Sequence, residues 1–201
     1  MDVNPRRTQA DRSAATQDAL VRAARPLFTE HGFAGVGTEA IVRAAGVTRG
    51  AMYHQFADKT ELFAAVFEAV EVDVTKRIDA TIAAAGETDA IALMVLGAQA
   101  WLDACADPEV QRIVLIEAPS VLGWERWREI GMRHGLGLVE AILTHAMSVK
   151  RIAEQPVKPL AHVLVGAMDE AALYVARAED PVTARQEAGA VMASLIAALA
   201  I

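Results

Sequence analysis

Apolar residues recur every three or four positions along most of this 201-residue sequence, which is the spacing of an α-helix. No segment alternates apolar and polar side chains as a half-buried strand would. Ala, the best helix former, accounts for 42 residues, whereas aromatic residues make up only 5%. These features predict an all-α protein and argue against a β-sandwich or a β-barrel.

Glycine, proline and capping residues divide the chain into about nine helices. The first four are expected at about 13–31 with Gly32 as a stop, after Thr38 as a cap, at 48–55 after a Thr48 cap, and at 58–84 behind an Asp58 cap. The others are expected at about 89–106, from 107 to a break at Pro119, at 123–147, at 158–178 and from 180 onward. The predicted organisation is a small N-terminal head of three helices followed by a larger helical bundle.

The stretch from Thr38 to Phe56 carries the most specific pattern. A helix of about two turns leads to Gly46, which suits a left-handed turn, and a second short helix follows. Its apolar residues can form a small shared core: Ile41, Val42, Ala45, Val47, Met52 and Phe56. This pattern is typical of a helix-turn-helix, whose second helix enters the DNA major groove.

The polar residues of this stretch suit a DNA contact. Arg49 can read guanine bidentately, Gly50 permits a close backbone approach, and other side chains can donate to phosphates. The candidate DNA-binding residues are Thr38, Thr48, Arg49, Gly50, Tyr53, His54, Gln55 and Lys59. For any one of them, the alternative is an ordinary cap or a solvated surface position in a helical bundle.

The charge distribution agrees with a local DNA contact although the total does not. The net charge of −7 argues against a nucleic-acid partner. However, residues 1–57 carry +2 and residues 58–201 carry −9, and no acidic residue lies between Glu39 and Asp58. We therefore expect the acidic body to stay off DNA while the head approaches it.

Residues of about 14–70 resemble the N-terminal DNA-binding domain of TetR-family transcriptional regulators. The resemblance rests on AARPLFTEHGF at 23–33, IVRAAGVTRGAMYHQF at 41–56 and DKTELF at 58–63. It implies a DNA-binding domain at 1–60 and a ligand-binding and dimerisation domain at 61–201. It also implies a homodimeric repressor that a small molecule of unknown identity releases from a pseudo-palindromic, double-stranded operator.

The resemblance assigns roles to individual positions of the head. Thr38 and Lys59 resemble phosphate contacts at two helix starts, and Tyr53 resembles the aromatic phosphate contact of the family. Thr48, Arg49 and Gly50 resemble the start of the recognition helix, and His54 occupies a variable position. Gln55 departs from the pattern, because His is usual there.

The bundle offers candidates for an apolar ligand pocket. Two tryptophans lie three residues apart on one helix face, and other large or polar residues are spaced to join them. The candidates are Met94, Trp101, Cys105, Trp124, Trp127, His134, Met168 and Asp169. The alternative is that they are core or interface residues. A buried Asp169 would need a partner, which could be a cationic ligand or an Arg across a dimer interface, unless solvent reaches it.

The last two helices are the candidates for dimerisation. Each carries an apolar stripe rich in small residues, and such stripes tend to pair with a second copy. The candidate interface residues are Leu160, Val163, Leu164, Ala167, Ala171, Tyr174, Val191, Met192, Leu195, Ile196 and Leu199.

Other function classes find little support in the sequence. There is no HExxH motif and no glycine-rich phosphate loop, and a single cysteine excludes an internal disulfide or a cysteine-based zinc site. We therefore expect no enzymatic activity, no cofactor and no metal. Without a visible signal peptide or a membrane-length apolar run, we expect a cytoplasmic protein with no membrane partner. The remaining alternatives are a helical interaction module that does not bind DNA and a regulator that acts as an activator.

Overall fold

The computed structural model describes residues 8–201. Helices cover most of them, and no β-sheet forms in this part of the chain. The helices are α1 (Gln9–Gly35), α2 (Thr38–Ala45), α3 (Arg49–Gln55), α4 (Lys59–Ala85), α5 (Ala90–Ala104), α6 (Pro108–Leu122), α7 (Trp124–Ser148), α8 (Val157–Arg177) and α9 (Pro181–Ala197). The all-α prediction, with about nine helices, is confirmed.

The local signals read from the sequence act as expected at most helix ends. The side chains of Thr48, Asp58, Asp107 and Asp180 each accept a hydrogen bond from a backbone N–H group of the following turn. Gly46 ends α2 in the left-handed conformation, with φ of 68°. Thr38 is the exception, since Gly37 occupies the capping position and Thr38 is already the first helical residue.

Pro119 does not end α6, contrary to the sequence-based expectation. Residues Gln111–Glu117 form a π-helix, and the N–H of Ala118 donates to the carbonyl of Ile113, five residues back. The helix then continues to Leu122. A proline ring clashes with the carbonyl four residues earlier in a regular α-helix, and we attribute its tolerance here to the wider π turn.

Gly32 interrupts α1, but one further turn follows it before the helix ends at Gly35. Its φ of 69° and ψ of 168° lie in a region that is essentially restricted to glycine. Its Cα is buried against α6, where an added Cβ would come within 2.5 Å of Glu117 Oε1. The glutamate can move aside, so backbone strain is the main cost of a side chain here.

We expect Gly32→Ala to lower the free energy of unfolding by about 1–3 kcal/mol because of this strain. Gly35→Ala, in the same last turn, is the matched control. Its added Cβ meets only His31 Cβ, at 3.4 Å, and we expect it to be neutral or slightly stabilising. Urea denaturation of both variants measures the difference. Equal stability of the two variants would contradict the assigned role of Gly32.

A continuous hydrophobic core joins the first helices to the rest of the chain. Phe28 and Phe63 meet edge to face with ring centroids 5.2 Å apart, and the same cluster includes Ile113 and Trp127. Helix α4 runs without interruption through residue 60, the expected domain boundary. The head and the body, as we call residues up to 60 and residues 61–201, are therefore packed together.

Ion pairs reinforce this connection. Arg25 of α1 pairs with Asp73 of α4 at 2.5 Å and with Glu109 of α6 at 2.7 Å. Arg126 of α7 binds both carboxylate oxygens of Glu61, at 2.6 and 2.7 Å. The bidentate pair of Arg126 with Glu61 attaches the first turn of α4, directly after the head, to α7.

Within residues 8–201, no single helix is both long and apolar enough to cross a membrane. Only α5 and α6 taken together pass that test, and they are bent by 80° relative to each other.

Candidate DNA interface and cavity of the body

Helix α3 presents a polar face to solvent because its apolar side chains are used by the core of the head. Met52 is fully buried, and Phe56 directly after the helix is 6% exposed. The opposite face exposes four of the predicted residues, Arg49, Gly50, Tyr53 and His54, and Thr48 is exposed at the cap. The structure therefore brings these five predicted residues together on one surface.

Arg49 is held loosely on this surface. Its guanidinium lies 5.6 Å from the centre of the Tyr53 ring, and Nη1 lies 3.3 Å from Glu39 Oε1. Exposed ion pairs of this kind contribute at most about 1 kcal/mol, so Arg49 can exchange Glu39 for a base edge at little cost.

Two other predicted contacts already have partners within the head. Lys59 Nζ donates to the carbonyls of Phe33 and Val36, at 2.8 and 2.9 Å, and lies 4.1 Å from the centre of the Phe33 ring. Gln55 Oε1 accepts a hydrogen bond from Ser13 Oγ at 3.0 Å. Both side chains connect helices of the head here, and a phosphate contact by either remains a prediction. Thr38 is partly exposed at the start of α2.

A cavity of about 110 Å³ lies inside the body, between α4, α5, α7, α8 and α9. Its wall is mostly apolar and includes five of the eight residues predicted for a pocket: Met94, Trp101, Trp127, Met168 and Asp169. Both indole N–H groups are engaged elsewhere, since Trp101 donates to the Met168 carbonyl and Trp127 to the Val114 carbonyl.

The other three predicted pocket residues lie away from this wall. Cys105 is buried in the core at the end of α5, where burial raises the pKa of its thiol. Trp124 is 60% exposed and packs on Trp127 from outside, and His134 Nε2 contacts Glu68 at 3.1 Å. The spacing of residues along a helix does not show which face of that helix points into the cavity.

The polar groups of the cavity lie on three helices. Asp169 of α8 pairs with Arg128 of α7, so its partner is an arginine of its own chain. Burial raises the pKa of Asp169 to about 6, although the arginine opposes this shift. Glu71 of α4 is 5% exposed, and burial together with the Asp169 charge raises its pKa to about 8.

The predicted dimerisation stripes divide between two sides of α8 and α9. Val163, Tyr174, Val191 and Leu195 are more than half exposed and form an outer apolar face. Leu160, Ala167, Ala171 and Leu199 are partly buried. Met192 and Ile196 are each 3% exposed and line the cavity together with Leu164. The interface prediction is therefore wrong for Met192 and Ile196, which belong to the core of their own chain.

Comparison with known proteins agrees with this architecture. Residues 20–66 match the family model for bacterial regulatory proteins of the tetR family, and residues 91–199 match the tetracyclin repressor-like C-terminal domain. The second match alone covers more than half of the chain. The chain belongs to the TetR family. Like other members, it is a DNA-binding transcriptional regulator.

Individual TetR-family relatives cover different parts of the chain. The transcriptional regulator CymR of Pseudomonas putida is 44% identical over 78 residues, which span 39% of this chain and 38% of CymR. The transposon Tn10 TetC protein of Escherichia coli is 25% identical over 79% of each chain. The crystal structure of a TetR-family transcriptional regulator from Pectobacterium atrosepticum is 29% identical, has a TM-score of 0.83, and covers 97% of this chain and 98% of its own.

Two polar residues of the cavity, Glu71 and Arg128, are not among the residues predicted from the sequence. The signal for Glu71 was present, because it lies four residues after Phe67 and three before Val74, on the apolar stripe of α4. Arg128 follows a buried tryptophan on a helix with many charged residues. Its inward direction depends on how α7 and α8 pack.

Proposed function

We propose that this TetR-family regulator is a homodimeric repressor that leaves a pseudo-palindromic operator when a small molecule occupies the cavity of the body. The observation that carries the proposal is that α4 both begins in the head and lines the cavity. Residues up to 60 would form the DNA-binding domain, and residues 61–201 would bind the effector and the second subunit.

The head supports the DNA-binding part of this proposal. The exposed face of α3 combines a loosely held arginine, a glycine and an aromatic hydroxyl, with no acidic residue on the helix itself. This set fits a recognition helix that reads bases through Arg49 and contacts the DNA backbone through Thr48, Tyr53 and His54.

Helix α4 offers a mechanical route from the cavity to the head. Glu71 at the cavity wall lies twelve residues after Lys59, about 18 Å along the helix. Helix α7 offers a second route, because Trp127 and Arg128 line the cavity while neighbouring Arg126 holds Glu61. A molecule that displaces either helix would move the head and change the spacing between two heads.

The outer face of α8 and α9 supports the dimer. Val163, Tyr174, Val191 and Leu195 expose large apolar side chains on two neighbouring helices. A second copy placed by a two-fold axis would cover both sets, and two heads related by that axis would require a pseudo-palindromic site.

A reporter assay tests repression and its control by the cavity. The DNA that flanks the gene for this chain is placed before a reporter, in a host without that gene, and the chain is expressed from a plasmid. We expect the wild type to lower reporter expression. An increase would identify an activator, and no change, together with no binding to the same DNA at low salt, would contradict the proposal.

A filled cavity should mimic the effector, whatever its identity. Gly135 lines the cavity, and no atom lies within 4 Å of an added Cβ there. We expect Gly135→Leu to fold normally but to weaken operator binding about tenfold, a coupling typical of allosteric proteins. Gly137→Leu, on the exposed side of the same helix, is the matched control and should repress like the wild type. Equal repression by both variants would contradict a link between the cavity and the head.

A further inference from the structure

Glu71 is a buried carboxyl group without a protein partner. Within residues 8–201, no side chain or backbone group donates a hydrogen bond to it, and no cationic side chain pairs with it. Its side chain nevertheless lies in the wall of the cavity, and only 5% of the residue is exposed. Among residues 8–201, no fully enclosed side-chain oxygen lacks a hydrogen bond, so the carboxyl group of Glu71 opens to the cavity, where a bound molecule can satisfy it.

Among residues 8–201, the cavity wall holds no positive charge that is free to pair with Glu71 when it ionises. Asp169 of α8 and Arg128 of α7 face the same cavity and neutralise each other in an ion pair. The buried thiol of Cys105, at the end of α5, lies close enough for the charges of both carboxylates to raise its pKa, and it supplies no positive charge. When Glu71 ionises, its charge has no counterion, so a bound molecule would have to supply one.

The rest of the wall suits a cation with an apolar body. Because the N–H groups of Trp101 and Trp127 are engaged by backbone carbonyls, these residues present mainly carbon surface to the cavity. Indole faces attract cations more strongly than any other aromatic side chain does. The volume of about 110 Å³ is smaller than the roughly 150 Å³ of a cavity that binds benzene, so it limits the apolar body to no more than one small ring.

We propose that the effector is a small organic ammonium ion with a ring-sized apolar body, whose N–H groups donate to Glu71. This inference rests on the proposed function and specifies the chemistry of the molecule that occupies the cavity. A neutral molecule of the same shape would leave Glu71 protonated and would gain no ion pair, and an anionic molecule would add a like charge to that of Asp169, so both would bind more weakly.

Three probes that share a benzyl or phenyl ring and differ in charge test this class. Benzylamine is cationic at pH 7, benzyl alcohol is neutral and benzoate is anionic. In calorimetric titrations of the full chain, we expect benzylamine to bind at least about tenfold more tightly than benzyl alcohol, and benzoate to show no binding. Equal or tighter binding of either other probe, or no binding of benzylamine, would overturn the proposal.

Two variants connect the preference to Glu71. In Glu71→Gln, we expect the preference for benzylamine over benzyl alcohol to fall to about twofold or less, because the counterion is gone. Glu170→Gln removes an exposed carboxylate from α8, next to Asp169, and should keep the wild-type preference. A preference that survives in Glu71→Gln would contradict the assignment.

These results separate the two proposals. If benzylamine binds as described but does not weaken operator binding, the chemistry of the cavity stands and its regulatory role fails. If another probe binds best while Gly135→Leu still weakens operator binding, the regulatory role stands and the cationic class fails.

Discussion

Replacement of both Arg49 and Tyr53 with alanine is expected to abolish sequence-specific DNA binding and to leave the fold intact. Both side chains lie on the exposed face of α3, and neither belongs to the hydrophobic core. An arginine that reads a guanine contributes about 1–3 kcal/mol of discrimination, and a dimer would lose this contribution at two half-sites. The double variant should therefore bind the operator no more tightly than unrelated DNA.

The two single variants should fail in different ways. Arg49→Ala should relax the base preference at one position of each half-site. Tyr53→Ala should weaken binding to all duplexes by a similar factor, and it should leave the salt dependence unchanged because tyrosine releases no counterion from DNA. Fluorescence anisotropy at several salt concentrations, with a duplex that the wild type selects from a random library, measures both effects.

Arg77→Ala is the matched control for the loss of a positive charge. Arg77 is exposed on α4, about 27 Å along the helix from Lys59. Its ion pair with Asp107 lies at the surface, with 3.5 Å between Nη1 and Oδ2, and contributes little to stability. Operator binding should match that of the wild type. If Arg77→Ala weakens binding as much as Arg49→Ala does, the effect arises from total charge, and α3 is not the reading helix.

The features that could be predicted from the sequence are those set by a few neighbouring residues. Gly46 favours a left-handed turn, Thr48 and Asp58 cap the helices that follow, and the apolar pattern between them predicts that α2 and α3 share a small core. The polar face of α3 follows from the same pattern, because burial of Met52 turns Arg49 and Tyr53 outward.

The features that were missed depend on contacts between distant segments. Helix α9 is apolar on several sides, so its sequence could not separate Met192, which lines the cavity, from Val191, which faces outward. The ammonium of Lys59 is engaged by carbonyls at the end of α1, more than twenty residues earlier. Glu71 faces a cavity that is completed by α5, α7, α8 and α9, all distant from it in the sequence.

Glu71 also makes the stability of the protein depend on pH. In the folded chain its pKa is about 8, mainly because of burial and also because of the Asp169 charge, whereas in the unfolded chain the pKa is near 4.5. Unfolding between these values therefore releases a proton, and the free energy of unfolding falls as the pH rises from about 4.5 to about 8. A shift of this size corresponds to a loss on the order of a few kcal/mol.

We expect Glu71→Gln to remove this loss, because an amide of nearly the same shape does not ionise. The variant should be more stable than the wild type at pH 9, and the two should converge near pH 5. Asp169, whose pKa is about 6 in the folded chain, should lower the free energy of unfolding of both proteins as the pH rises towards 6. Its ion pair with Arg128 is the same in both proteins. Urea denaturation from pH 5 to pH 9 measures the difference.

Asp79→Asn, at an exposed position of α4, should follow the wild-type curve. A Glu71→Gln curve parallel to the wild-type curve across this range would mean that the folded protein already holds Glu71 ionised, with a counterion in place.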